Sequence, residues 1–387
     1  MSQAYFAHIS PGLEPLLKDE LRSLGARKLK IDEGGVHFQG TRKHLYRILW
    51  WSRLAHRVYW TLAEGTAPNT HALFERVTKI PWVEIFGAHP KALKLAIKVS
   101  LGHHAELQGT GQVESIAYRA IERALEGSRP LSSAHWSDPS TEVARVLIRL
   151  HDHRVSIRLD ACGSLLHKRG WRTIEGLAPL RPTLASAMIK LLEWDPQEPL
   201  IDPMCGSGTI PIEAAKLASL RPPRLWSDYS CTHWAQFDPQ MWENERGYVS
   251  RNQGEISTNF HQHIFASDLS SEALSATQTH LTAAGEMVHV SLQDALTLSP
   301  PSEQRADTQE GLILFNPPYG LRIREQDVLK TFLNHFAEAK NEWKGWRVGL
   351  IYPRQLSPPA TPGLVARELA RFQHGGLPVW VWRYEHL

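Results

Sequence analysis

Three cysteines in 387 residues, Cys162, Cys205 and Cys231, are too few, too widely spaced and odd in number for a disulfide framework or a cysteine zinc site. No metal is therefore expected, and a reducing, cytoplasmic location is. Long apolar runs are also missing. None approaches the roughly 20 residues of a membrane-spanning helix, so no membrane partner is expected. The opening MSQAYFAHISPGLEPLL has no basic stretch ahead of an apolar one, so no secretion signal is expected. Net charge is small, +3, but the sum conceals an asymmetry: residues 1–172 carry +9 and residues 173–387 carry −6. A basic front half suits a polyanion, although a chance imbalance on a solvated surface gives the same count. What is present in quantity is apolar residue, 42%, enough for a sizeable core in a chain long enough for two or three domains.

The chain reads in parts. In residues 1–60, YFAHIS reads as a strand. LEPLLKDELRSLG reads as an amphipathic helix closed at Gly25, and KLKID and VHFQ as strands around Gly34-Gly35, a small α+β unit. In residues 61–160, KLAIKVS is a strand. Val113, Ile116, Ala117, Ala120, Ile121 and Ala124 fall on one helical face. ARVLIRLHDHRVSIRLD reads as a hairpin turning at Asp152-His153. Its arginines, Arg145, Arg149, Arg154 and Arg158, would line one outer sheet face, as contact surface or as ordinary solvated residues. Residues 161–177 form a linker in which Lys168, Arg169 and Arg172 stand among His167 and Trp171. Basic residues interleaved with aromatics can hold phosphates and stack on bases.

Residues 178–387 alternate strands and helices, which implies parallel βαβ units and ligands beyond the strands' carboxyl ends. Each such end carries something unusual: Asp202 followed by Gly206-Ser207-Gly208, then Asp268, Asp294 and Asn316-Pro317-Pro318-Tyr319. The D-P-x-C-G-S-G-T turn is neither a phosphate loop nor a G-x-G-x-x-G, so a pyrophosphate ligand is disfavoured. Asp268 is placed to accept both hydroxyls of a ribose, and Asp294 an adenine amine. Acids at strand ends also serve as plain helix caps. The ordered set points instead to adenosine carrying a cationic sulfonium and an amino-acid tail, S-adenosylmethionine.

FNPPYG, residues 315–320, fits that ligand. Pro-Pro ends a strand in a rigid corner, as a purely structural turn also would. Such a corner preorganises the Asn316 side-chain oxygen and the Pro317 carbonyl as two acceptors for the N–H groups of an exocyclic amine. Tyr319 offers a ring for a planar substrate to stack on.

DPMCGSGT, ASDLS, QDAL and FNPPYG resemble the motifs of class I S-adenosylmethionine-dependent methyltransferases that act on amino groups. The opening 40 residues, SLLHKRGWR with APLRPTLASAMI, and HWAQFDPQMWENE are similar to the THUMP-domain RNA guanine-N2 methyltransferases of the bacterial 23S rRNA (RlmL) type, in a form with one methyltransferase domain. The resemblance implies an α/β protein. Its expected parts are a ferredoxin-like unit at 1–60, a THUMP domain gripping RNA at 61–160, and a Rossmann-like catalytic domain at 178–387. It carries cofactor roles onto Thr183, Asp202, Gly206, Ser207, Gly208, Asp268 and Asp294, and catalytic roles onto Asn316, Pro317, Pro318 and Tyr319. Its expected substrate is guanosine N2 in RNA, rRNA before tRNA, presented free or in a ribosomal assembly particle. Adenine N6 methylation and a non-enzymatic RNA-binding assembly role are the alternatives.

Overall fold

The computed structural model describes residues 2–103, 107, 109–174, 180–225, 228–249, 263–301, 310–318, 323–356, 360–374 and 376–387, the side chains of 323–326 excepted. The first half runs β1 (Gln3–His8), α1 (Glu14–Ser23), β2 (Arg27–Asp32), β3 (Gly35–Gly40), α2 (Arg42–Trp51), β4 (Arg57–Thr66), α3 (Thr70–Thr78) and α4 (Trp82–Phe86). It continues through β5 (Leu93–Leu101), α5 (Thr110–Ala124), β6 (Leu131–Ser133), β7 (Ala144–His151) and β8 (Arg154–Asp160). The second half runs α6 (Pro182–Leu191), β9 (Leu200–Asp202), α7 (Thr209–Ala218), α8 (Pro239–Arg246), β10 (Ile264–Asp268), α9 (Ser271–Ala284) and β11 (His289–Leu292). It ends with β12 (Gly311–Phe315), α10 (Ile323–Glu338), β13 (Trp346–Pro353), β14 (Leu364–His374) and β15 (Leu377–His386).

Two compact units result. One gathers Met1–Ile9, Lys18–Leu166 and Ser227–Arg246; the other gathers Ser10–Leu17, His167–Trp226 and Gly247–Leu387. In the first, the strands join a single sheet of order β2-β3-β1-β4-β8-β7-β5-β6. Residues 1–60 and 61–160, read from sequence as separate domains, therefore share one sheet. The later stretch keeps a core of its own, in which α5 lays Val113, Ile116, Ala117, Ala120 and Ile121 against Val146, Ile148, Ile157 and Leu159.

The stretch 227–246, inside the range read as the catalytic domain, packs in the first unit. Its aromatic side chains need aromatic partners, and α2 supplies them. Trp242 lies 4.8 Å from Trp50 and 5.2 Å from Tyr46, ring centre to ring centre. Trp50 and Trp51 donate their indole N–H groups to the Trp242 and Glu245 carbonyls at 3.1 and 2.9 Å. The buried Arg47–Glu245 pair closes the contact at 2.7 Å.

The second unit carries a seven-stranded sheet of order β11-β10-β9-β12-β13-β15-β14. β9 to β13 are parallel, as the alternation of strands and helices requires, and β15 and β14 add an antiparallel edge. The chain leaves β9 outward to β10 and β11, then returns to build on β9's other side with β12. That reversal is the place where such sheets open a crevice at their carboxyl ends. Among the described residues no helix is long and apolar enough to cross a membrane.

Candidate active site

The reversal sets four strand ends in a row. The Ile201 pairings with Phe265 and Ile313 fix β10 and β12 beside β9, so Asp202, Asp268 and Asn316 leave the sheet next to one another. β11 follows on the far side of β10, and the Gln293 N–H reaches the Asp268 carbonyl at 3.2 Å, which brings Asp294 to the same edge.

From Asp202 the chain turns through the glycine loop into α7. Gly206 and Gly208 have φ of +53° and +80°, a region that L side chains avoid. A Cβ on Gly208 would approach the Thr277 methyl to 2.9 Å, whereas one on Gly206 would meet nothing within 4 Å. The loop is thus pressed onto α9 at one glycine and open above the other. It is also tied down at Gly206 and Ser207. The Asp268 carboxylate accepts the Gly206 N–H at 2.9 Å, and the Thr277 hydroxyl donates to the Gly206 carbonyl at 2.7 Å. His280 Nδ1 donates to the Ser207 carbonyl at 3.0 Å, while its Nε2 accepts the Ile174 N–H at 3.1 Å. A carbonyl can only accept and an amide can only donate, so these partners fix the Nδ1–H tautomer. Thr277 and His280, three residues apart, share one face of α9. Sequence reasoning missed both, because nothing local marks a helix face that will meet a loop some 70 residues earlier.

The charges around the loop fit an absent cation. Asp202 is 1% exposed and accepts one backbone N–H, from Met204 at 3.2 Å. It has no cationic partner among the described residues. Burial pushes its carboxyl well above the usual range, and the neighbouring Asp268 charge adds to the rise. A buried acid in that position is stabilised as a carboxylate by a ligand that brings positive charge. Two buried hydroxyls of the same unit, Thr183 Oγ1 and Ser267 Oγ, also have no hydrogen-bond partner among the described residues. Thr183 sits in the first turn of α6, whose approach at Leu180 is tied by Arg172 to the Thr209 hydroxyl, directly after Gly208. Burial pushes the Cys205 thiol up, so it stays protonated and is no nucleophile. Asp294 caps a short 3-10 turn by accepting the Leu296 N–H at 2.9 Å, with its second oxygen left for another donor.

Asn316 follows β12 half-buried, Pro317 is buried and Pro318 is exposed. Tyr319 lies outside the described residues.

The linker departs from the sequence reading. Arg169, 2% exposed, forms a buried ion pair with Glu213, its Nε 3.1 Å from one oxygen and its Nη2 3.2 Å from the other. Arg172 donates to the Leu180 carbonyl and the Thr209 hydroxyl at 3.2 and 2.6 Å. Both guanidinium groups tie the linker to α7, and Arg172 also to Leu180 ahead of α6. Of the three linker cations, Lys168 alone is exposed.

Residues 169–356 match the family model of an RMKL-like methyltransferase domain, and residues 4–59 that of an RlmL ferredoxin-like domain. Three solved structures share the fold along the chain. A Listeria monocytogenes protein described as a predicted N6-adenine-specific DNA methylase is 22% identical, with a TM-score of 0.80, over 98% of this chain and 96% of its own. SMU.472 complexed with SAH is 22% identical, with a TM-score of 0.80, over 100% of this chain and 98% of its own. TrmN from Thermus thermophilus is 21% identical, with a TM-score of 0.70, over the full length of both chains.

Proposed function

We propose that this chain, which belongs to the RlmL-type family of methyltransferases, transfers a methyl group from S-adenosylmethionine to the exocyclic N2 amine of a guanosine in RNA, in rRNA before tRNA. The observation that carries the reading is the row of strand ends. The glycine loop and the unpaired buried Asp202 stand at one strand, and the Asn-Pro-Pro corner leaves the next. The match to an RlmL ferredoxin-like domain favours RNA and guanine over a DNA adenine.

The cofactor, when bound, supplies an electrophilic methyl group on a sulfonium. Asp202 and the Thr183 hydroxyl would hold its amino-acid end, Asp268 the ribose and Asp294 the adenine amine. The open space above Gly206 admits the ligand close to the backbone. A guanine amine is a poor nucleophile because its lone pair is delocalised into the ring. The Asn316 oxygen and the Pro317 carbonyl accept its two N–H bonds and so direct the lone pair at the methyl carbon. Rate then comes from alignment and from preorganised acceptors. The departing proton passes to solvent, so the chain needs no strong base. The base must be unpaired or flipped out, because a paired amine is out of reach.

The test offers purified protein and methyl-labelled cofactor to rRNA, tRNA and DNA from cells lacking the gene, followed by nucleoside analysis. Labelled 2-methylguanosine in rRNA is the expected product. Labelled 6-methyladenosine would overturn the guanine reading, and no label in any pool would overturn the nucleic-acid reading.

The loop supports predict a smaller effect. Thr277→Val removes the hydroxyl that holds the Gly206 carbonyl, at a cost of about 1 kcal/mol, so SAH should bind about fivefold more weakly in titration calorimetry. An unchanged dissociation constant would mean that the loop keeps its shape without this bond.

A further inference from the structure

The first unit contains a cationic cleft that the catalytic chemistry does not use. Its floor is the outer face of the eight-stranded sheet. Val155, Ile157 and Leu159 of β8, with Val146, Ile148 and Leu150 of β7, point into the core. Strand alternation therefore turns Arg154 and Arg158 of β8 to the other face, and the Arg149–Ser156 pairing sets Arg149 of β7 beside them. With Lys30 of β2 these side chains line a cleft of about 570 Å³.

Arg158 is the unusual member. It is 3% exposed, its guanidinium lies 3.9 Å over the centre of the Phe6 ring, and its Nε is buried with no acceptor among the described residues. No carboxylate among the described residues forms an ion pair with it. Burial, with Arg149 adding like-charge repulsion, pushes the Arg158 guanidinium down to about 10, still charged at neutral pH. Two acids share the cleft: Asp32 lies 3.3 Å from His37 and 4.0 Å from Arg149, and Glu64 lies 3.9 Å from His37, so the four cations outnumber the carboxylates two to one. A desolvated guanidinium without an ion-pair partner is a costly arrangement in isolation, and an incoming anion with several acceptor oxygens satisfies it.

We propose that this cleft binds the phosphate backbone of the RNA substrate, with Arg158 taking one phosphate and Arg149, Arg154 and Lys30 the neighbouring ones. Arg154 and Arg158 are four residues apart on a strand, about 13 Å, more than one phosphate group covers. A chain of phosphates fits that track better than a single free phosphate does. The proposal rests on RNA being the substrate, and the test separates the two statements.

The probe is a labelled single-stranded RNA oligonucleotide, titrated with the full-length protein at several KCl concentrations. The variants are Arg149→Gln with Arg154→Gln, which changes one partly exposed and one exposed residue, and Arg158→Lys, which keeps the charge and removes the Nε–H and the planar fork. SAH binding is measured on the same preparations and should be unchanged. The double variant should bind RNA at least about tenfold more weakly, and the slope of log K against log salt should flatten by about 1.4, the value for two lost single-strand contacts. Arg158→Lys should weaken binding with little change in slope. Wild-type RNA binding with no change in the double variant would overturn the cleft and leave the methyl-transfer reading standing. No RNA binding by the wild type would overturn both. Polyglutamate that binds as tightly as RNA and is lost with the same variants would make the occupant an acidic protein. Displacement of RNA by micromolar inorganic phosphate would make it a single phosphate. Either result would overturn the RNA track.

Discussion

Alanine at Asn316 should slow methyl transfer by about 10²–10³-fold, the usual cost of removing one preorganised polar group from a transition state. SAH binding should stay as it is. The separation is expected from position: the groups proposed to hold the cofactor lie on the glycine loop and on the ends of β10 and β11, and Asn316 leaves β12 on the other side of β9. A rigid Pro-Pro corner follows it, so the truncated side chain cannot be replaced by a shift of the backbone. Asn316→Asp keeps an acceptor oxygen and should lose less than Asn316→Ala, which distinguishes a hydrogen-bonding role from a packing role. Single-turnover transfer to RNA measures the chemical step and calorimetry with SAH measures binding. An alanine enzyme within about threefold of the wild type would remove Asn316 from the mechanism and leave Pro317 as the sole acceptor at that corner.

The parts of this molecule that could be read from sequence are those set by neighbours along the chain. The face of α5, the cap at Gly285, the turn at Asp152 and the strand–helix alternation of the second half all follow from spacings of a few residues. The four arginines of the β7–β8 hairpin were placed on one face by alternation alone, and the register does set them there. Arg145 nonetheless folds back onto the Trp136, Val143 and Ser140 carbonyls and is buried. The illegible parts are those whose partner is remote. The aromatic stretch around Trp242 joins the first unit because its partners lie on α2, some 190 residues earlier. The linker belongs here too: Lys and Arg among aromatics read as a phosphate-holding segment, and no local signal shows that a buried glutamate awaits Arg169.

That glutamate carries the second large expected effect. Glu213→Ala should cost about 3–5 kcal/mol of stability, because breaking one side of a buried ion pair leaves the other charge without compensation. Glu213 is 0% exposed and joins three segments: it accepts Arg169 from the linker and the Ser186 hydroxyl from α6, and it is itself part of α7. Its loss also leaves a cavity at the α6–α7 contact. Denaturant titration of the intact protein, followed by a probe of the second unit, measures the effect as a lower midpoint at unchanged slope. The double variant Arg169→Met with Glu213→Leu supplies the control. With no charge left to bury, it should recover much of the stability that either single change loses. The same experiment decides what Arg169 is for. If Arg169 grips RNA, Arg169→Met should flatten the salt dependence of RNA binding and spare stability. If it is the clamp seen here, Arg169→Met should lower the unfolding midpoint and leave the salt slope unchanged, because a guanidinium held 3.1 Å from a buried carboxylate neutralises no phosphate and so releases no counterion.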